Sequence, residues 1–439
     1  ITTEDNTSLV KGDLNNYAPA SNLALNEEIQ KRLRAGETIY HFAFGQSPFP
    51  VIESAVEALK EHAAENAYLP VAGTVELRQS IANFHKYFED IDIDPDSIIV
   101  GPGSKELIFL LLLYAFEIFN FFVNQTPYKV YKTQAYVWDV LIISPSWTTY
   151  LPQAKLAGHQ PYIISTSLEK EWKITTEDIE MVSLQKTQEQ SVNHFRLICY
   201  DCFRKNNILV LSDEIYSRLH YDQNYTSILK FYPEGTILST GLSKFASAGG
   251  WRVGYHVYPK ELGVLRNAVR SAASHTYTCC PAPMQYAVTK MFQDLKGLDN
   301  YIQHCTRILM AVGDHCYREL TSIGVKCLQS KGGYYIFPDF EVIRPMLHKR
   351  GISTCEQMCK AMFEECSVIV MAGGPAFLRP VTELTTRLCY VPFNGTSALQ
   401  ASRLIGLEMP LPESFVEDHC TNVYNEIEYS HLKYFILLN

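Results

Sequence analysis

Short apolar runs alternate with longer stretches of helical spacing over residues 95–260. The runs are Ile98–Val100, Val140–Ile143, Pro161–Ile164, Ile208–Ser212, Thr236–Ser239 and, just past a glycine, Tyr255–Tyr258. Each is too short for a helix and is bounded by Gly, Pro, Ser or Asp, so each predicts a buried strand. Strands alternating with helices predict an α/β fold with a mostly parallel, doubly wound sheet. Upstream, the spacing predicts helices over Asn22–Arg34, Ile52–Asn66 and Glu76–Phe88 and a strand over Thr38–Phe44. Thr175–Val182 and Ser191–Lys205 also read as helices. Downstream, a long helical stretch from Pro283 through Leu320 is interrupted near Gly297. Strands at Lys326–Gln329, Gly333–Pro338 and Leu388–Phe393, with Ile352–Cys366 helical between them, predict a second, smaller α+β unit. The expected organisation is an N-terminal arm with part of the small domain (1–50), a large domain (51–295) and a C-terminal small domain (296–439).

Two stretches resist this pattern. Leu107–Val123 is almost wholly apolar, but Glu117 and Asn120 interrupt it and it barely reaches spanning length, so a buried core helix is expected. Asn120–Asp139 is aromatic-rich with no helical or strand period, and reads as an insertion.

Composition narrows the picture. The 439 residues are 47% hydrophobic and 19% charged, ample for a packed core. A net charge of −9 gives no general attraction to nucleic acid or an anionic membrane, yet permits a local basic pocket. The 12 cysteines are irregularly spaced, which favours a reducing compartment and predicts a cytoplasmic protein rather than a secreted disulfide framework. Cys199 and Cys202 form a C-x-x-C without a second ligand pair, so buried thiols are expected and no metal site. The polar start of the chain contains no apolar signal core.

Candidate chemistry collects at strand exits. Ser239–Tyr255 reads STGLSKFASAGGWRVGY. Lys244 sits beside Ser243, and Arg252 follows eight positions later between Gly250 and Gly254. A lysine amine can form an imine with an aldehyde, while hydroxyl, backbone N–H and guanidinium groups hold a phosphate. Strand Ile98–Val100 runs into Gly101-Pro102-Gly103-Ser104-Lys105, a turn that aims helix N–H groups at an anion or simply caps the helix. Asp213 ends a strand 31 positions before Lys244 (244 − 213), where open α/β sheets place ligand-binding groups. Trp147, between Pro145 and Pro152, can stack on a flat ring or fill core.

As an ordered set, YLPVAG, GPGSKE, SPSWTTY, SDEIYSRL, GLSKFASAGGWRVGY and TRLCYV resemble the class I/II aminotransferases. These are pyridoxal-phosphate enzymes of the aspartate aminotransferase fold (fold type I), and the resemblance covers nearly the whole chain. It implies that Lys244 bonds the cofactor and then shuttles a proton. Asp213 would pair with the pyridine nitrogen, Tyr216 with the phenolic oxygen, and Trp147 would stack on the ring. Gly103, Ser104, Lys105, Ser243 and Arg252 would hold the phosphate. Tyr68, and with it Thr278, would reach a neighbour's phosphate across a homodimer with shared sites. Arg387 would grip the substrate α-carboxylate, with Gly45, Tyr334 and Tyr335 lining the pocket. The implied reaction moves an amino group between an L-amino acid and a 2-oxo acid, as in amino-acid biosynthesis. A β-lyase, a decarboxylase or a catalytically impaired homologue are the alternatives. No second arginine for a distal carboxylate is evident, and the Tyr- and Phe-rich surroundings suit an aromatic or aliphatic side chain.

The chain departs from the family in one place. An Asn-Pro-x-Asn-Pro-Thr-Gly-type segment and the apolar strand before it are absent; Met181–Phe195 reads MVSLQKTQEQSVNHF, with Asn193 in unmatched surroundings. A missing central strand is expected to leave an unpaired sheet edge.

Overall fold

A computed structural model describes residues 29–125 (except 30 and 38), 140–179, 199–205 and 208–428. Its central layer is a four-stranded sheet in the order β2 (Ile98–Gly101), β7 (Gly254–Val257), β6 (Thr236–Gly241), β5 (Val210–Asp213). β5 and β6 are parallel, while β7 runs antiparallel to both β6 and β2. Thus β2, β6 and β5 share a direction and β7 alone is reversed.

Alternation along these strands sorts their side chains onto two faces. Ile98, Val100 and Leu238 join the large core with the helices Val75–Glu89, Ala282–Gln293 and Leu295–Ser322. Ile99 and Ile237 point the other way, into a second cluster with Leu107, Leu110 and Val269 of the helices Ser104–Gln125 and Gly263–Thr276. Helices on both faces are what the runs of consecutive apolar residues demanded, since a strand covered on one face only would alternate with polar residues.

β3 (Val140–Ser144) and β4 (Pro161–Ser165) form a separate parallel pair. Among the described residues no strand joins that pair to β5, and the segment in which the family's intervening strand would fall lies outside them. Residues 180–198 and 126–139, and with them Asn193 and most of the expected insertion and helices there, lie outside the described residues.

The C-terminal unit holds the antiparallel sheet β10 (Met371–Ala372), β11 (Thr386–Cys389), β8 (Tyr335–Ile336). The upstream strand β1 (Tyr40–His41) pairs in parallel with β9 (Val368–Ile369), tying the beginning of the described chain to this unit.

Several expectations are corrected. The helix begun at Ser104 continues to Gln125, so Asn120–Gln125 are helical. Lys326–Gln329 is no strand; Lys326 makes only an isolated bridge to Asp339. The interruption expected near Gly297 falls at Asp294, whose carboxylate accepts the Gly297 N–H at 3.0 Å and caps a new helix.

Candidate active site

Strand exits and one loop from the β1 side converge on Lys244. Its Nζ donates to the Gly45 carbonyl at 2.8 Å and lies 5.5 Å from the ring centres of both Tyr216 and Tyr334. Tyr334 donates to the same carbonyl at 3.2 Å. Burial lowers the Lys244 pKa from 10.5 to about 8, with the charges of Arg387 and Arg252 acting the same way and Asp213 opposing. Gly45 is required here by close approach: a Cβ would stand 1.6 Å from the Tyr335 hydroxyl.

Asp213 ends β5. The Tyr150 hydroxyl donates to its Oδ2 at 2.5 Å, while Oδ1 is shut from solvent with no side-chain partner among the described residues. Burial raises its pKa, opposed by the Tyr150 bond, the Ile215 backbone N–H and the Lys244 charge. Tyr216, three positions on, donates to Tyr335 at 3.0 Å, and its ring meets Tyr334 and Tyr335 edge-on. Arg218 anchors this turn from behind: its guanidinium lies 3.0 Å from Glu89, itself bonded to His85 at 2.9 Å, which reaches Tyr255 of β7 at 2.9 Å.

At the same carboxyl end of the strands but on the opposite edge of the sheet, Gly101 of β2 pairs with Gly254 of β7. The turn beyond β2 is held in the left-handed region by Gly103 (φ +89°), and the helix opens at Ser104. Arg252, also left-handed (φ 53°), closes over it, bonding the Gly249 carbonyl at 3.0 Å and the Pro102 carbonyl at 3.4 Å. The space is tight: a Cβ on Gly103 would come 2.1 Å from Arg252 Nη2, and one on Gly254 would come 2.3 Å from the Ser104 nitrogen. Ser243 Oγ is 3.5 Å from Arg252. Lys105 Nζ lies 4.9 Å from the Trp147 ring centre, its pKa lowered by burial and by Arg252. Among the described residues no carboxylate pairs with Arg252.

Arg387, on β11, bonds the Ala43 carbonyl through Nη2, which also sits 3.0 Å from Met371 Sδ. Its plane covers Tyr335 and Phe377, with centroid distances of 4.7 and 5.3 Å. Among the described residues Nε is buried without a partner and no carboxylate pairs with this cation. Two neighbouring carbonyls of one loop, Ala43 and Gly45, thus hold the two cations side by side.

Tyr68 and Thr278 stand apart from this cluster, both exposed, Tyr68 to 88%. Tyr150 and the Glu89–His85–Arg218 brace were missed in the sequence. Tyr150 closes the SPSWTTY motif at a spacing that faces it to Trp147 (rings 5.2 Å apart), a signal that was present but unread.

The family described as Aminotransferase class I and II matches residues 37–202 and 198–392. The chain belongs to this family, whose members are aminotransferases and generally depend on pyridoxal phosphate. It is 25% identical to an aspartate aminotransferase of Bacillus sp. (strain YM-2) over 387 residues, covering 83% of this chain and 91% of the relative. An aspartate aminotransferase of Thermotoga maritima is 27% identical over 377 residues (82% and 89%). The solved aspartate aminotransferase of Thermus thermophilus with maleate superposes with a TM-score of 0.73 at 21% identity, over 90% of this chain and 97% of that one. The chain therefore has the fold-type-I architecture.

Proposed function

We propose that this chain binds pyridoxal 5′-phosphate on Lys244 and transfers an amino group between an L-amino acid and a 2-oxo acid. The observation that carries the reading is a buried lysine amine, tuned to about 8, in a cluster where, among the described residues, Arg387 and Arg252 have no acidic partner and Asp213 Oδ1 has no side-chain partner. The residues fit the cofactor. Gly103, Ser104, Lys105, Ser243 and Arg252 supply backbone, hydroxyl and cationic groups for a phosphate at a helix N-terminus. Asp213 Oδ1 is a buried acceptor without a side-chain partner among the described residues, and a protonated ring nitrogen would offer it a donor. Trp147 and the Tyr216 hydroxyl complete the contacts to a flat, hydroxylated ring.

When bound, the cofactor supplies an aldehyde for the substrate nitrogen and an electron sink for the Cα bond that is broken. Lys244 would anchor it and, once freed, take and return the Cα proton; lowering the pKa from 10.5 to about 8 raises the neutral, proton-accepting share of the amine well above that of a free lysine. Asp213 would hold the ring-nitrogen proton, and Tyr150 holds Asp213. Arg387 offers two N–H groups to the α-carboxylate and fixes Cα over the lysine. The high exposure of Tyr68 supports its contributing to a neighbouring subunit in a homodimer, checked by sedimentation of wild type and Tyr68→Ala.

The test is spectroscopic. Cofactor-loaded protein should show a visible absorption band that amino acids deplete, and Lys244→Ala should lose the band and lower turnover by about 10⁴ or more. A band unaffected by Lys244→Ala would refute the assignment. A second reading, a homologue that binds cofactor without turnover, is favoured by the sequence Met181–Phe195, which lacks the family's Asn-Pro-x-Asn-Pro-Thr-Gly-type segment. It predicts a Lys244-dependent band that no amino acid depletes.

A further inference from the structure

A cleft of about 570 Å³ opens beside Trp147, between the Trp147–Pro152 segment on one wall and Val370–Leu378 with the start of the Cys355–Cys366 helix on the other. It adjoins the site through two side chains. Trp147 stacks at the Lys105 end, and Met371, paired in register with Arg387, touches its guanidinium. A substrate whose α-carboxylate sits on Arg387 therefore has this cleft within reach of its side chain.

The chemistry of the walls is selective. Leu151, Val370, Met371 and Pro375 present apolar surface, and Glu356 is the one charged residue among those lining the cleft. Glu356 is exposed in the first turn of its helix, with no ion-pair partner among the described residues. A second carboxylate entering there meets apolar walls and a like charge, with no cation among the described residues that line the cleft. Lys105 lies on the Trp147 ring but does not line the cleft, and it neighbours Arg252 at the Gly103 turn.

We propose that this cleft is the side-chain site of the amino-acid substrate, that it takes apolar and aromatic side chains, and that Glu356 is a specificity determinant against acidic ones. This rests on the transaminase reading above. Two unreactive carboxylates probe the cleft without turnover: 3-phenylpropionate and succinate, titrated calorimetrically against the cofactor-loaded protein. The expected result is tighter binding of 3-phenylpropionate by about tenfold or more, which one well-buried ring supports. Glu356→Gln should narrow the ratio several-fold and Glu356→Lys should narrow it further, because a repulsion is first removed and then reversed. In the amino-acid half-reaction, phenylalanine and leucine should outpace aspartate and glutamate in kcat/KM, with the same trend in the variants. Succinate binding as tightly as 3-phenylpropionate, no binding of either, or a ratio indifferent to Glu356→Lys would each overturn the proposal. If no amino acid depletes the band while 3-phenylpropionate still binds in preference to succinate, the catalytic reading fails and the cleft assignment stands.

Discussion

The two edges of the central sheet meet the site in different ways. At the Gly103–Arg252 edge, β2 and β7 are paired through Gly101 and Gly254, and the cradle is made of backbone and a guanidinium held by carbonyls. At the Asp213–Tyr216 edge, β5 has one strand neighbour among the described residues, and the carboxylate depends on side chains from afar: Tyr150, Tyr335 and the Arg218–Glu89 brace. The first edge is rigid because its geometry is local and its glycines leave no slack. The second is held by packing across long sequence separations.

The difference can be broken most severely at the brace. Arg218 and Glu89 are nearly inaccessible, with 9% and 2% of their side chains exposed. Arg218→Ala leaves a buried carboxylate without its cation and should cost about 3–5 kcal/mol, read by urea unfolding. Double replacement with Glu89→Gln should recover part of that loss. Next comes the cation on β11. Arg387→Lys removes the paired N–H geometry and should raise KM for the amino acid about 10- to 100-fold, with a smaller change in cofactor affinity.

Gly103→Ala sharpens the contrast from the other side. It puts a side chain on left-handed backbone and against Arg252, at a cost of about 1–3 kcal/mol, and should weaken cofactor binding without moving the amino-acid KM of the loaded enzyme. A loss in KM alone would show that the cradle and the substrate end are not separable.

The mildest effect is in pH. Since burial lowers the Lys244 pKa from 10.5 to about 8, cofactor capture should accelerate as pH rises through about 8, not 10.5. The sign for stability follows from proton uptake: between about 8 and 10.5 the unfolded chain binds the proton and the folded one does not, so the cofactor-free protein gains stability as pH rises across that window. Below pH 8 both states are protonated, and the folded form bears the full cost of the buried charge. Lys244→Met should flatten both dependences.

What the sequence by itself determined was the periodic and the local. Runs of consecutive apolar residues could only be strands covered on both faces, so Ile98–Val100, Ile208–Ser212 and Thr236–Ser239 announced a two-sided sheet. Gly103, Gly254, Asp213 and Lys244 were legible because each stands at the end of such a run, where a strand must stop and polar groups gather. Boundaries were less legible: the helix from Ser104 ran on through Asn120, whose neighbours lack any clear period, and Asp294 capped a helix where Gly297 had looked like the break. Only the tertiary structure decided which groups meet. Tyr150 and Asp213 lie 63 positions apart, Arg387 and Ala43 lie 344 apart, and Arg218, Glu89 and Tyr255 come from three elements. Periodicity says which way a side chain faces, whereas a contact between distant side chains depends on how whole elements pack. For that reason the buried Oδ1 of Asp213, the amine tuned by burial, and the cleft beside Trp147 emerged with the fold.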